Sequence, residues 1–458
     1  EKGNDMRIVI IGGVAAGAKA AAKAKRMNPD LEVHVFQDED EVAYSACGLP
    51  YVIGGTIADQ NKLVIRKSEE FAKDGIQVKT GRRVVVLDTA SHRITVRNLN
   101  EQSEESVPYD RLIVATGALP IVPPVAGIDL EGVLTLRKIG DLARFRTIFD
   151  ALQQKKAVII GAGYIGMELA EAFHELNMKT TIVEKFPRIL PKFDPEMAQL
   201  VHDQLVEQHV ELILGDGLSK LQGKGGQVTA VVTESGKIIP ADLVVIAIGV
   251  RPNVELAKGA GIALGQTGAI AVDTRMETNI PGVFAAGDCA ETIDRITGQP
   301  IWMPLGDVAN LQGRVAGENA AGGNAHFPGV FGTAIFKTFN LNVAMTGLSE
   351  TAARAQGFDP ISVLMKRGDR ARYYPGGQEL NLKLIADRRD GRLLGAQVIG
   401  PGKADKMIDI AATALLGKLT CQALENADLA YSPPFSPVLS PMIMAAGALS
   451  SQLSGVAD

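Results

Sequence analysis

Cysteine and histidine are scarce in this chain, and each scarcity excludes something. The 458 residues hold three cysteines, Cys47, Cys289 and Cys421. An odd number so widely spaced makes no disulfide framework and suits a reducing cytoplasm. Neither they nor the six scattered histidines take a metal-ligand spacing. No apolar run reaches 18 residues, so no membrane-spanning helix is expected. Residues 1–5, EKGND, are too short and polar for a signal peptide, and Met6 reads as the natural start. A net charge of −5 gives no reason to expect nucleic acid or an anionic membrane as a partner. The remainder, 46% apolar and 22% charged, is ordinary for a globular protein, and the length suits about three domains.

Cys47, in YSACGLPYVIGG, has no second cysteine near it in sequence. A local dithiol is therefore absent, and any redox cycle at this thiol needs a second centre from a flavin, a substrate or a partner chain.

An internal repeat dominates the organisation. RIVIIGGVAAG at 7–17 recurs as AVIIGAGYIG at 157–166, each an apolar β-branched run, a glycine turn and a helical pattern. LEVHVF at 31–36 and KTTIVE at 179–184 supply second strands, and YDRLIVATGALP at 109–120 is answered by ADLVVIAIGVRP at 241–252. Two copies of one nucleotide-binding fold explain this most simply. A hairpin is expected at Gly223–Gly226, a strand at VFAAG before Asp288, and a helix over 309–321. GGNAHFPG at 322–329 reads as a boundary. The tail beyond it carries a hairpin around Asp390–Gly391 and a helix in KADKMIDIAATALLGKL.

In the second unit Gly161, Gly163 and Gly166 complete G-x-G-x-x-G, with Glu184 ~20 residues on, where a carboxylate accepts from ribose hydroxyls. Glu184 would repel a 2′-phosphate, which favours NADH over NADPH, although Lys185 and Arg188 stand close by in sequence. The first unit is less regular. Gly12 and Gly17 hold the outer positions, Val14 the middle one, and Gln37 stands where the acid would be, followed by Asp38 and Glu39. Asp288 could bind a flavin's ribityl chain or cap a helix, or do both.

With Cys47, both glycine turns, ATG at 115–117 and AAGD at 285–288, the chain resembles the pyridine nucleotide–disulfide oxidoreductases over essentially its whole length. It looks most like their single-cysteine branch, which includes coenzyme A disulfide, persulfide and polysulfide reductases, NADH oxidase and NADH peroxidase. The implied fold class is α/β: two Rossmann-like domains, an FAD domain (1–120 and 250–328) split by an inserted NAD(P)H domain (121–249), then an α+β dimerisation domain (329–458). The implied FAD contacts are Gly12, Gly13, Ala16, Gly17, Gln37, Ala115, Thr116, Gly117, Gly287 and Asp288. For NADH or NADPH they are Gly161, Gly163, Tyr164, Ile165, Gly166, Glu168, Glu184 and Gly249, with Tyr164 and Glu168 near the nicotinamide or merely packing their helix.

Within the branch, Val52 replaces the second cysteine of the C-x-x-x-x-C members, and Ala15 stands where the oxygen- and peroxide-reducing members carry histidine. RYYPGG and AYSPPFSP resemble the coenzyme A enzymes' tyrosine segments, which implies catalytic Tyr373 and Tyr431 donated across a homodimer, with Tyr374 a near neighbour. Lys23 and Arg26 match basic residues that hold coenzyme A phosphates, or form a solvated helix face. Ala43 and Ala46 replace the family's Ser and Asn before the cysteine, which weakens the link to a thiol substrate. The expected activity is hydride transfer from NADH through FAD to Cys47, which reduces coenzyme A disulfide, persulfide or polysulfide. A helix starting near Gly48–Pro50 would favour the thiolate of Cys47. The alternatives are an NADH oxidase working through a Cys47 sulfenic acid and an electron-transfer or redox-sensing flavoprotein. Cys289 and Cys421 read as packing residues.

Overall fold

A computed structural model describes residues 6–152 and 154–455. They form two compact units that the chain visits alternately. The first takes the residues up to Ile121, Leu136–Arg144 and Gly249–Val330. The second takes Val122–Thr135, Phe145–Ile248 and the chain from Phe331.

Each unit contains a parallel five-stranded sheet built on one half of the repeat. In the first, Arg7–Ile11 is central, with Glu32–Phe36 and Ile76–Lys79 on one side and Arg111–Val114 and Val283–Ala285 on the other. In the second, Lys156–Ile160 is central, with Lys179–Glu184 and Glu211–Leu214 on one side and Leu243–Ile246 and Val133–Leu134 on the other. Both central strands pair in parallel with the same two members of the repeat. The central strands read IVII and AVII because both faces of a parallel sheet are covered, and their residues are buried accordingly.

The first sheet's helix Ala15–Met27 lies against the helix Gly306–Ala320 at very short range. A Cβ on Gly313 or Gly317 would stand 2.3 Å from the carbonyl oxygen of Ala16 or Ala20. Small residues on both helices are what let the backbones touch.

The second unit also contains the tail. Its antiparallel sheet runs Ala334–Thr338, Leu341–Gly347, Leu393–Gly400, Glu379–Asp387, Pro360–Gly368. The hairpin expected at Asp390–Gly391 is present, with Gly391 at φ +70° in the left-handed region, and so is the helix Ala404–Leu416. Lys383, in the strand Glu379–Asp387, is 2% exposed and bridges three carboxylates: Asp194 at 3.0 Å, Glu350 at 3.0 Å, and Glu196. Asp194 is 1% exposed and also accepts from the Gln397 amide at 2.9 Å. The helix Tyr164–Glu175 is tied to the tail as well, through Thr338 to the Met167 carbonyl and through Glu171 to Lys337 and the Phe339 N–H.

Leu136–Arg144 packs in the first unit, where Arg137 meets Asp288. The chain from Phe331 packs in the second unit, where Lys383 of its own antiparallel sheet meets Asp194 and Glu196. Among the described residues no helix is long and apolar enough to cross a membrane, and no cluster of potential ligands could hold a metal ion.

Candidate active site

Both central strands end in a glycine at positive φ, Gly12 at +97° and Gly161 at +110°. A Cβ on either would collide with a neighbouring strand's carbonyl oxygen, Ala115 at 2.1 Å or Ala247 at 2.5 Å. One turn into each helix, a Cβ on Gly17 would fall 1.8 Å from the Gly12 carbonyl oxygen, and one on Gly166 would fall 2.3 Å from that of Gly161. Gly163 is different, since a Cβ there would meet nothing within 4 Å. Its missing side chain leaves open space in front of the helix, where a diphosphate approaches in this kind of turn. Val14 at the equivalent place has φ −89°, which needs no glycine. Neither Val14 nor Gly163 has a side chain able to cap its helix, so first-turn N–H groups remain for an anion.

The strand-end residues act alike in the two units. The Gln37 side-chain oxygen accepts from the Gly13 N–H at 2.8 Å, and Glu184 accepts from the Ala162 N–H at 2.7 Å. Glu184 also accepts from the Phe186 N–H at 2.9 Å, and both side chains are buried. Each glycine loop is thus held from below by the residue that the sequence picked out. These two cradles fit one dinucleotide each.

Asp288 lies in a turn rather than at a helix start, because the next helix begins only at Gly306. The capping alternative therefore falls away. Burial raises the Asp288 carboxyl above its usual range, and Arg137 at 3.1 Å partly opposes this. Arg137 was missed by the sequence reading, as was Gln312. The Gln312 side-chain oxygen accepts from the Gly287 N–H at 2.8 Å, which fixes the turn holding Asp288. Thr116 donates to the Asn253 carbonyl at 2.6 Å, and Gly117 accepts from the Asn253 N–H at 2.9 Å, so the ATG turn is locked to the RPN segment. Gly249, at φ +109°, accepts from the Ile121 N–H at 3.0 Å.

Cys47 is exposed, on a 3-10 turn Ala46–Gly48 that leads into the helix Leu49–Ile53. Its segment is pinned to the first cradle, with the Ala43 N–H donating to the Gly13 carbonyl at 2.8 Å. The Ser45 N–H donates to the Leu63 carbonyl at 2.8 Å, and Ala43 takes the left-handed conformation at φ +46°. Cys289 and Cys421 are buried, and burial pushes both thiols up, Cys421 to about 12.

In the second unit Tyr164 opens its helix, stacks on Phe336 at 4.8 Å and donates to the Met345 sulfur at 3.3 Å. Burial pushes its phenol up to about 12. Ile165 is exposed, and Glu168 lies half-buried one turn on. The fold brings Tyr373 and Tyr431 together, since the Ala371 N–H donates to the Pro433 carbonyl and the two phenols are hydrogen-bonded. That bond holds the Tyr431 phenol above its ordinary 10.0. Both rings are exposed, as are Phe435, Val438 and Leu439. Of the two basic residues on the first helix, Lys23 pairs with Glu318 at 2.8 Å, while Arg26 is exposed and donates to the Ala22 carbonyl of its own helix.

Two dinucleotide cradles, one with an exposed thiol on a segment pinned to its glycine loop, define a nucleotide-dependent thiol oxidoreductase. Residues 6–302 match the family model for pyridine nucleotide-disulphide oxidoreductases, and residues 333–443 match the dimerisation domain of the same family. The chain is 40% identical over 445 residues to an NAD(P)H coenzyme A polysulfide/persulfide reductase of Pyrococcus horikoshii, covering 97% of this chain and 98% of that one. It is 37% identical over 443 residues to an NADH oxidase of Methanocaldococcus jannaschii, covering 96% and 98%. Among solved structures it resembles an NAD-dependent persulfide reductase from A. fulgidus, with a TM-score of 0.95 and 41% identity over 98% of this chain and 84% of the other. The protein belongs to the pyridine nucleotide-disulphide oxidoreductase family. It is an oxidoreductase that uses FAD and NAD(P)H.

Proposed function

We propose that the protein uses NADH to reduce a coenzyme A disulfide, persulfide or polysulfide at Cys47. The observation that carries this reading is the exposed Cys47, shortly after Ala43, whose N–H is hydrogen-bonded to the first glycine loop, while the other two cysteines are buried. The relatives' names support the acceptor class.

Bound FAD would supply a two-electron relay between nicotinamide and sulfur. Gly12, Gly13, Ala16 and Gly17 would hold its diphosphate, Gln37 its ribose, and Asp288 with Arg137 the ribityl side. Gly161, Gly163 and Gly166 would hold the NADH diphosphate, with Glu184 bracing their loop on the adenosine-ribose side. The Cys47 thiolate attacks the acceptor's sulfur, forming one S–S bond as another breaks. The departing thiolate takes a proton from Tyr431, whose phenol Tyr373 holds by a hydrogen bond. Two electrons then cleave the mixed disulfide and return Cys47 to the thiolate. The balance is NADH, one proton and RSSR giving NAD⁺ and two RSH. For a persulfide, RSSH gives RSH and H₂S.

The dimerisation-domain match and the exposed Tyr373, Phe435, Val438 and Leu439 support a homodimer in which the tyrosines serve the partner's thiol. Arg26 is the better candidate for coenzyme A phosphates, because Lys23 is engaged by Glu318. A cytoplasmic location fits three cysteines with no disulfide among the described residues.

The test is Cys47→Ser. It should keep its bound flavin and its bleaching by NADH but lose acceptor turnover, and full turnover would sink the reading. The named M. jannaschii relative favours oxygen reduction as a second reading. NADH-dependent oxygen uptake at a rate matching thiol-acceptor turnover would select it.

A further inference from the structure

The strand Lys179–Glu184 runs into the loop Lys185-Phe186-Pro187-Arg188, which carries two cations beside one acid. In this class of cradle the strand-end acid marks the 2′ side of the adenosine ribose, and nearby cations accommodate a 2′-phosphate. The loop rests against a second one. The Gly215 N–H donates to the Phe186 carbonyl at 2.9 Å, and the Asp216 N–H donates to the Glu184 carbonyl at 3.2 Å. Asp216 accepts from the Ser235 N–H at 2.9 Å and from its hydroxyl at 2.6 Å. Between them stands Glu234, whose N–H donates to the Gly217 carbonyl at 2.8 Å. Its carboxylate lies so close to Gly217 that a Cβ there would be 2.9 Å away.

The Glu234 carboxylate meets the Lys185 ammonium at 3.2 Å. Lys185 is therefore held by an acid that is itself anchored. Arg188 spends one N–H on the Pro191 carbonyl at 3.2 Å. Glu184, buried and committed to two backbone N–H groups, shapes the glycine loop whichever nucleotide binds.

We propose that Glu234 is a specificity-determining residue: it withholds Lys185 from a 2′-phosphate. Lys185 and Arg188 are then a 2′-phosphate grip held partly out of use. The proposal rests on the assignment of the second cradle to NAD(P)H.

The test compares the holoenzyme with Glu234→Gln, Lys185→Ala and the double variant. The readouts are anaerobic flavin bleaching by NADH and NADPH, and competition by adenosine 2′,5′-bisphosphate and 5′-AMP. An exposed ion pair alters binding by ~1.4- to 5-fold. Glu234→Gln should raise NADPH efficiency and tighten the bisphosphate by roughly that factor. NADH and 5′-AMP should stay unchanged, the gain should shrink with salt, and it should vanish in the double variant. Equal effects on both nucleotides, or a gain that survives Lys185→Ala, would overturn the role of Glu234. Failure of both nucleotides to bleach the unaltered protein would instead remove the cradle assignment, and the proposal with it.

Discussion

Replacing Lys383 with methionine removes an ammonium and keeps the aliphatic stem. Three carboxylates then lose their shared cation, and two of them are largely buried, with side-chain exposures of 1% for Asp194 and 24% for Glu350. Breaking a buried pair from one side costs about 3–5 kcal/mol, because the remaining charge is stranded. A unit of more than 200 residues loses roughly 2 °C of melting temperature per kcal/mol, so the expected drop is about 6–10 °C. The sign with pH is a second signature. Burial pulls the Glu350 carboxyl up, but hydrogen bonds from Ser362, Arg354 and Lys383 outweigh it and hold the group at about 2. A carboxyl depressed in this way contributes stability that is complete above its ordinary 4.5 and is lost as pH falls toward 2. Part of that contribution is screened at the solvent edge. Lys383→Met should therefore lose most at neutral pH and progressively less below 4.5, where the stranded Glu350 carboxyl can protonate. Calorimetry of both proteins across that range is the assay. A melting temperature within about 2 °C of the unaltered protein at neutral pH, or an equal loss at every pH, would refute the reasoning.

Gly163→Ala should leave the melting temperature unchanged, since a Cβ there meets nothing within 4 Å, yet raise the NADH KM about tenfold (~1.4 kcal/mol) by filling the diphosphate's approach. Calorimetry and steady-state kinetics on the same sample check both halves. Tyr373→Phe should move the alkaline limb of acceptor turnover to lower pH. The phenol of Tyr431 must be protonated to donate, the Tyr373 bond raises its pKa, and loss of that bond brings deprotonation earlier. A pH–rate profile whose alkaline limb stays in place would remove Tyr373 from the proton-transfer step.

Local features were legible in the sequence. Both glycine turns, the strand-end Gln37 and Glu184, and the tyrosine segments each announce themselves within a few residues. Pairs closed across long stretches were not. Arg137 sits in no motif, and only the folded chain brings it to Asp288. Gly313 and Gly317 read as ordinary members of a helical pattern until their contact with Ala16 and Ala20 is seen. Lys383 alternates with Leu382 and Leu384, so the pattern places it on the solvent face. That face is covered by Glu196 and Glu350, and the alternation holds no trace of what covers it. Asp288 had two readings in sequence because helix caps and ligand carboxylates use the same residue type. The late start of the next helix removes the cap reading.

The alternation of the chain between its two units sets a schedule for synthesis. The strand Arg7–Ile11 and its helix emerge first, but the sheet edge Val283–Ala285 and the covering helix Gly306–Ala320 come far later. Until then Ala16 and Ala20 present a bare backbone groove to the ribosome's surroundings. Asp194 waits longer still, for Lys383. The first unit is complete only at Val330, after much of the second has been made, so a nascent chain stalled there would carry a finished first unit and a second whose buried Asp194 has no cation. Quality control acting on such a fragment would find its mark in the second unit, and the strand Glu379–Asp387 is the one that hides it.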